Sequence, residues 1–176
     1  MLHNHFVVET KVQLINRLYN TNIYAWRRVA ENIVEHAAIL ESDLARGRAN
    51  AIRTLAQCGI HGRVASFATK FAHFHNPDAF TMWDDRVQRA VVNLRERELI
   101  GWNWKPRGSD LAATYQAFRN QIMAICEHFR AIGGVSVSFK TVDVYLWLKG
   151  VRLHPRHASA EVRWASETLP ALWATL

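Results

Sequence analysis

The residues best suited to chemistry lie close together in the sequence, between Cys58 and Arg89. This stretch reads CGIHGRVASFATKFAHFHNPDAFTMWDDRVQR. A glycine turn at 59–62 separates two helical segments, a proline-broken loop follows, and two aspartates then open another helix. Glycines let backbone N–H groups approach an anion closely, and a helix N-terminus favours negative charge. The stretch therefore combines a turn suited to phosphate binding with carboxylates at the start of a helix.

The helical segment after the turn predicts one polar face and one apolar face. The polar residues at helical spacing are Arg63, Ser66, Lys70 and His73. The adjacent apolar face, which we expect in the core, is formed by Phe67, Phe71 and Phe74. A lysine on an otherwise buried helix is costly unless it has a partner. Lys70 therefore either pairs with Asp84 or serves as a nucleophilic amine.

The same stretch resembles the helix-hairpin-helix superfamily of DNA glycosylases that act in base excision. That family's pattern at the catalytic aspartate, roughly D-x-[HR]-[VI]-x-R, is matched by Asp84-Asp85-Arg86-Val87-Gln88-Arg89. The glycine hairpin is matched loosely by Gly59-Ile60-His61-Gly62. The stretch is also similar to a branch of small glycosylase-like bacterial proteins. The resemblance covers about thirty residues, and elsewhere the chain agrees with the family only in being helical.

The resemblance implies a DNA N-glycosylase that flips a modified base out of the stack and cleaves its bond to the sugar. Asp84 would stabilise positive charge at C1′ or activate the attacking water. Its ordinary role would be that of an N-cap, which Asp85 could fill equally well. The expected DNA contacts are Gly59, Ile60, His61, Gly62, Arg63, Arg86 and Arg89.

Lys70 is a second candidate catalytic residue. Bifunctional members of the family carry an attacking lysine near the start of the hairpin's second helix. An ungapped count back from Asp84 puts Ser66 near that position, with Lys70 one helical turn further on. We therefore expect a monofunctional enzyme that uses water, and Lys70 as nucleophile requires a shifted register.

Aromatic residues supply candidates for the base pocket. The expected pocket residues are Trp83, His73, Trp102 and Trp104. Trp102 and Trp104 lie in a loop rich in glycine and proline next to Lys105, where binding is more expected than core packing. No spacing of histidine, cysteine or acidic residues fits a zinc site, and no cofactor is expected.

Composition and charge agree with a DNA-binding globular protein. The 176 residues carry a net charge of +7 and are 49% hydrophobic, and the isoelectric point is about 9.9. This balance favours a polyanionic partner, with nucleic acid ahead of an anionic membrane. There is no apolar run of membrane-spanning length, and the first residues lack the features expected of a signal peptide. Cys58 and Cys126 are expected as free, buried thiols of a cytoplasmic protein.

Helical periodicity runs from end to end and predicts an all-α fold. We expect one compact domain over residues 1–176, with the hairpin and catalytic segment at about 44–100. The first helix is expected to place Leu14, Ile15 and Leu18 on one face. One helix is predicted from about 23 to 40, and the next from Ser42 or Asp43 to Cys58.

The functional hypothesis is excision of a modified base from double-stranded DNA. Some small members of the superfamily resemble antiphage proteins, so a hypermodified phage cytosine, such as glucosylated hydroxymethylcytosine, is one expected substrate. Oxidised guanine is the conventional alternative. Two non-enzymatic alternatives remain: a DNA-binding module that keeps the hairpin without chemistry, and a helical protein–protein adaptor. No obligate protein partner is evident.

Overall fold

A computed structural model describes residues 2–19, 21–59, 64–96, 110–134 and 137–153. These ranges contain helices and turns but no strand, which confirms the all-α prediction. The eight helices are α1 His5–Tyr19, α2 Trp26–Glu35, α3 Ala37–Ala45, α4 Asn50–Gln57, α5 Val64–His75, α6 Asp85–Glu96, α7 Leu111–Gly133 and α8 Phe139–Leu153.

The chain divides into two compact units. The first comprises Met1–Met82 and Pro106–Phe118, and the second comprises Trp83–Lys105 and Arg119–Leu176. Helices α1 to α5 belong to the first unit, and α6 and α8 belong to the second. The expectation of one domain over 1–176 remains a prediction, and each unit is considered by itself.

In the first unit, α5 is the central helix and packs against α1, α3 and α4. Every residue from Phe67 to His73 is buried, so this helix is enclosed on all sides along its middle two turns. Phe67 and Phe71 lie in the core as expected, whereas Phe74 is 44% exposed near the helix end. The core is therefore built around the helix that carries Lys70.

Helix α1 contains Leu14, Ile15 and Leu18, the residues expected to share a face. Of these three, Ile15 is buried, whereas Leu14 and Leu18 are more than half exposed. The side of α1 that faces the core is formed by Val8, Val12 and Ile15, at spacings of four and three residues.

The predicted helix over 23–40 is broken at His36 into α2 and α3. The Nδ1–H of His36 donates to the Asn32 carbonyl at 2.8 Å, and the His36 backbone N–H is shared between the Asn32 and Ile33 carbonyls. A side chain that competes for a helix carbonyl interrupts the regular ladder.

The predicted start of the next helix at Ser42 or Asp43 was also wrong, because both residues lie inside α3. Helix α3 ends where Gly47 adopts a φ of 65°. The buried Asp43 carboxylate then accepts a hydrogen bond from Asn50 Nδ2 at 3.0 Å and pairs with Arg48 at 3.4 Å. Asp43 therefore fixes the turn between α3 and α4 rather than starting a helix.

In the second unit, α6 and α8 pack face to face. Gly150 of α8 lies against the backbone of Arg86 in α6, and a Cβ at Gly150 would come within 2.2 Å of the Arg86 carbonyl oxygen. Only a glycine allows this approach. The contact fixes the first turn of α6, which directly follows Asp84.

Candidate functional site

Helices α4 and α5 form a packed pair joined by residues 58–63. The Asn32 side chain donates to the Cys58 carbonyl at 2.9 Å, which ties the end of α4 to α2. Cys58 is a free, buried thiol, as expected from the sequence. Burial raises its pKa to about 11, so the thiol is neutral. Gly59 follows at a bend and is partly buried.

Four expected DNA contacts lie outside the described residues: Ile60, His61, Gly62 and Arg63. The base-pocket candidates Trp102 and Trp104 also lie outside them. Their roles stay predictions.

Lys70 is 3% exposed, and its side chain turns back along α5. Its Nζ donates to Ser66 Oγ at 2.5 Å and lies 5.4 Å from the centre of the Tyr19 ring. Helical side chains point toward the N-terminus of their helix. The amine of Lys70 therefore lies beside the residue at which an ungapped count places the family's lysine.

A second lysine of the same unit was not singled out from the sequence. Lys11 Nζ lies 4.2 Å from the centre of the Phe71 ring. Burial lowers the pKa of Lys11 from 10.5 to about 8. Burial, and then the charge of Lys11, lower the pKa of the nearby His75. The signal in the sequence is that Lys11 stands three residues after Val8 and four before Ile15, at the edge of the apolar stripe.

The loop after α5 is held in place by buried hydrogen bonds. Asn76 Nδ2 donates to the Leu44 carbonyl at 3.1 Å and the Ala45 carbonyl at 3.3 Å. His73 Nδ1 donates to the Phe80 carbonyl at 2.8 Å, so this ring nitrogen has a structural role. The loop is thereby fixed to both α3 and α5.

Tyr115 holds the next residue of this loop. Its hydroxyl accepts from the Thr81 backbone N–H and donates to the Thr81 carbonyl, each at 3.0 Å. Thr81 and Tyr115 are both fully buried. Sequence reasoning missed Tyr115 because 34 residues separate the two partners.

Asp84 lies immediately before α6 and is partly buried. Its Oδ1 accepts a hydrogen bond from the Val87 backbone N–H at 2.9 Å, the geometry of an N-cap. None of the residues that the structure describes donates a hydrogen bond to Asp84 Oδ2. Asp84 therefore caps α6 through one of its two carboxylate oxygens.

The two arginines expected to contact DNA differ in their surroundings. The Arg86 guanidinium lies 5.2 Å from the centre of the Trp147 ring. Arg89 pairs with Asp85 at 2.9 Å on the exposed face of α6. Surface pairs of this kind contribute little to stability. Trp83 is partly buried just before Asp84.

The described ranges contain no group of three histidine, cysteine, aspartate or glutamate side chains arranged to hold a metal ion. None of the described helices combines the length and apolar character needed to cross a bilayer.

Comparison with known proteins gives similarity without a function. The family model HI_0787_N, described as an N-terminal domain, matches residues 3–79, a range that includes α1 to α5. An uncharacterized protein from Haemophilus influenzae is 27% identical over 153 residues, covering 82% of this chain and 67% of the relative. No solved structure matches the chain. Any functional assignment therefore depends on the residues themselves.

Proposed function

We propose that the chain is a DNA N-glycosylase that flips a modified base out of double-stranded DNA and hydrolyses its bond to the sugar. One observation carries the proposal. The packed pair α4 and α5 is joined by a connection that holds two glycines, and a tightly held loop then leads to a capping aspartate whose second oxygen has no partner among the described residues. The order of these parts is that of the helix-hairpin-helix glycosylases.

The chemistry that Asp84 would supply follows from its two oxygens. Capping through Oδ1 keeps the carboxylate in place at the start of α6. Oδ2 would face the sugar and stabilise positive charge at C1′ as the bond to the base breaks. The departing base takes the electron pair of the broken bond and a proton from the solvent. The oxygen of water then bonds to C1′, Asp84 accepts one proton of that water and returns it to the solvent, and the hydroxyl stays on the sugar.

DNA binding would use the basic balance of the chain together with the α4–α5 connection. Contacts from backbone N–H groups and arginines to phosphates position an enzyme without reading sequence. We propose a cytoplasmic location, since both cysteines are free thiols and buried. A hypermodified cytosine of phage DNA is the proposed substrate.

A non-catalytic DNA-binding module is the second candidate. The capping hydrogen bond of Asp84 favours it, because an aspartate at this position has a structural role whether or not it takes part in chemistry.

A panel of modified DNAs tests the proposal. Wild-type protein would be incubated with DNA containing glucosylated hydroxymethylcytosine, oxidised guanine, alkylated bases or uracil, and abasic sites would be revealed with alkali. We expect abasic sites in one of these DNAs, with binding that weakens steeply as salt rises. If the protein binds DNA in a salt-sensitive way but releases no base from any DNA of the panel, the enzyme proposal fails and the chain is a non-catalytic DNA-binding module.

A further inference from the structure

Two side-chain amides of the second unit each keep an oxygen atom without a hydrogen-bond partner among the described residues. Gln121 of α7 is only 6% exposed, and its Oε1 has no partner. Asn93 of α6 is partly buried, and its Oδ1 has none. A buried polar atom without a partner destabilises a fold and is rare in native proteins. Gln121 therefore requires an explanation.

Asn16 in the first unit is an example of a side-chain amide with a structural role, because both its nitrogen and its oxygen have hydrogen-bond partners. Asn16 Nδ2 donates to the Ile23 carbonyl at 2.9 Å. Asn16 Oδ1 accepts from Thr21 Oγ1 at 2.9 Å and from the Ile23 N–H at 2.8 Å. The Asn16 amide thus connects α1 to the chain that follows it. Gln121 makes no comparable connection through its oxygen.

The amide chemistry of Gln121 restricts what could complete it. Its Oε1 atom carries lone pairs and no hydrogen, so it only accepts hydrogen bonds. The ligand must therefore donate an N–H or O–H.

The edge of a nucleobase meets these requirements. An amide presents an acceptor and a donor side by side, and it pairs with a base edge that has an amino group beside a ring nitrogen. Cytosine and adenine both carry such an edge. The second unit also contains Asp84, the proposed catalytic residue.

We propose that Gln121 is the base-recognition residue, with its Oε1 accepting a hydrogen bond from the exocyclic amino group of the flipped base. The inference rests on the proposed glycosylase function and narrows its substrates to bases with an amino group beside a ring nitrogen. A hydroxymethylcytosine modified at its 5-position keeps this edge intact.

Thermal unfolding in the presence of free nucleosides tests the inference without any need for catalysis. The ligands are deoxycytidine, deoxyadenosine and their N,N-dimethylated analogues, which lack the N–H donor. We expect one amino nucleoside to raise the Tm of the wild-type protein, because a ligand that binds only the native state stabilises it. Its dimethylated analogue should produce no shift. Equal shifts with both, or a shift with neither, would overturn the inference.

Two variants separate recognition from stability. Gln121→Met removes the unpartnered oxygen at similar volume, so its own Tm should equal or exceed that of the wild type while the nucleoside shift disappears. Asn16→Leu should lower the Tm, because Thr21 and Ile23 lose partners, and keep the shift. A nucleoside shift retained in Gln121→Met, or a Tm lowered by that change, would assign Gln121 a structural role.

The two proposals can fail separately. A nucleoside shift without base release from the DNA panel would contradict the enzyme and leave Gln121 as a base contact. Base release without a nucleoside shift would contradict the role of Gln121 alone.

Discussion

The close approach of α8 to α6 gives a prediction whose size follows directly from the structure. An alanine Cβ at position 150 would lie 2.2 Å from the Arg86 carbonyl oxygen, 2.6 Å from its carbon and 2.9 Å from Cα. All three atoms belong to the backbone, so no side-chain rotation can relieve the clash, and the two helices must separate. Overpacking of a well-packed core costs about 1–3 kcal/mol. The higher helix propensity of alanine returns at most about 1 kcal/mol.

We therefore expect Gly150→Ala to lower the free energy of unfolding by about 1–2 kcal/mol. Gly133→Ala is the matched control, because nothing lies within 4 Å of a Cβ at that position. This control should change stability by less than about 0.5 kcal/mol or raise it slightly. Urea unfolding measures both variants, and equal slopes against denaturant show that the transition is comparable. Wild-type stability in Gly150→Ala would refute the close contact that fixes the first turn of α6.

Three further changes test the first unit and the helix cap. Since burial lowers the pKa of Lys11 from 10.5 to about 8, the folded state holds its proton less tightly than the unfolded chain, and this group makes stability rise with pH between those values. Lys11→Met should therefore stabilise the protein at pH 7 by up to about 3 kcal/mol, reduced by the loss of the favourable contact between the Lys11 amine and the Phe71 ring. Urea unfolding should show a smaller gain at pH 10 than at pH 7. An equal gain at both pH values would contradict the lowered pKa of Lys11. Tyr115→Phe removes both hydrogen bonds between the Tyr115 hydroxyl and the buried Thr81 backbone and should cost about 2 kcal/mol in the same assay, against almost no change for Tyr24→Phe at an 82% exposed position. Asp84→Ala removes the cap of α6 and should cost about 1 kcal/mol, whereas Asp84→Asn keeps the cap and should be nearly neutral; equal losses would show that charge, not capping, holds the helix.

The sequence predicted features that depend on local spacing. Helical periodicity predicted the all-α class. The place of Asp84 and Asp85 before an apolar stripe made both of them candidate caps, and the structure shows the capping hydrogen bond at Asp84. Ser66 and Lys70 lie on the same face of α5, as predicted, and their side chains form a hydrogen bond across one helical turn. These features involve residues within about one turn of each other, where helix geometry fixes the relation.

Features that depend on tertiary packing could not be predicted in this way. The break at His36 depends on a side chain that bonds to the Asn32 carbonyl, while the His36 backbone N–H is shared between the Asn32 and Ile33 carbonyls. The Tyr115–Thr81 pair, the approach of Gly150 to Arg86 and the position of Lys11 over Phe71 all join distant parts of the chain. Residue type alone did not distinguish these positions from other tyrosines, glycines and lysines.

The most direct test of the proposed chemistry removes one charge and keeps its structural role. Asp84→Asn retains an oxygen that can accept the Val87 N–H and loses the carboxylate. Asp110→Asn is the matched control, because Asp110 caps α7 through the Ala112 N–H at 2.9 Å. Base release would be measured in a single turnover on the DNA that the wild type cleaves, with DNA binding measured in parallel. We expect base release by Asp84→Asn to fall by about a hundredfold or more, with DNA binding and the rate of Asp110→Asn unchanged. Release by Asp84→Asn at the wild-type rate would show that the Asp84 carboxylate takes no part in the chemistry.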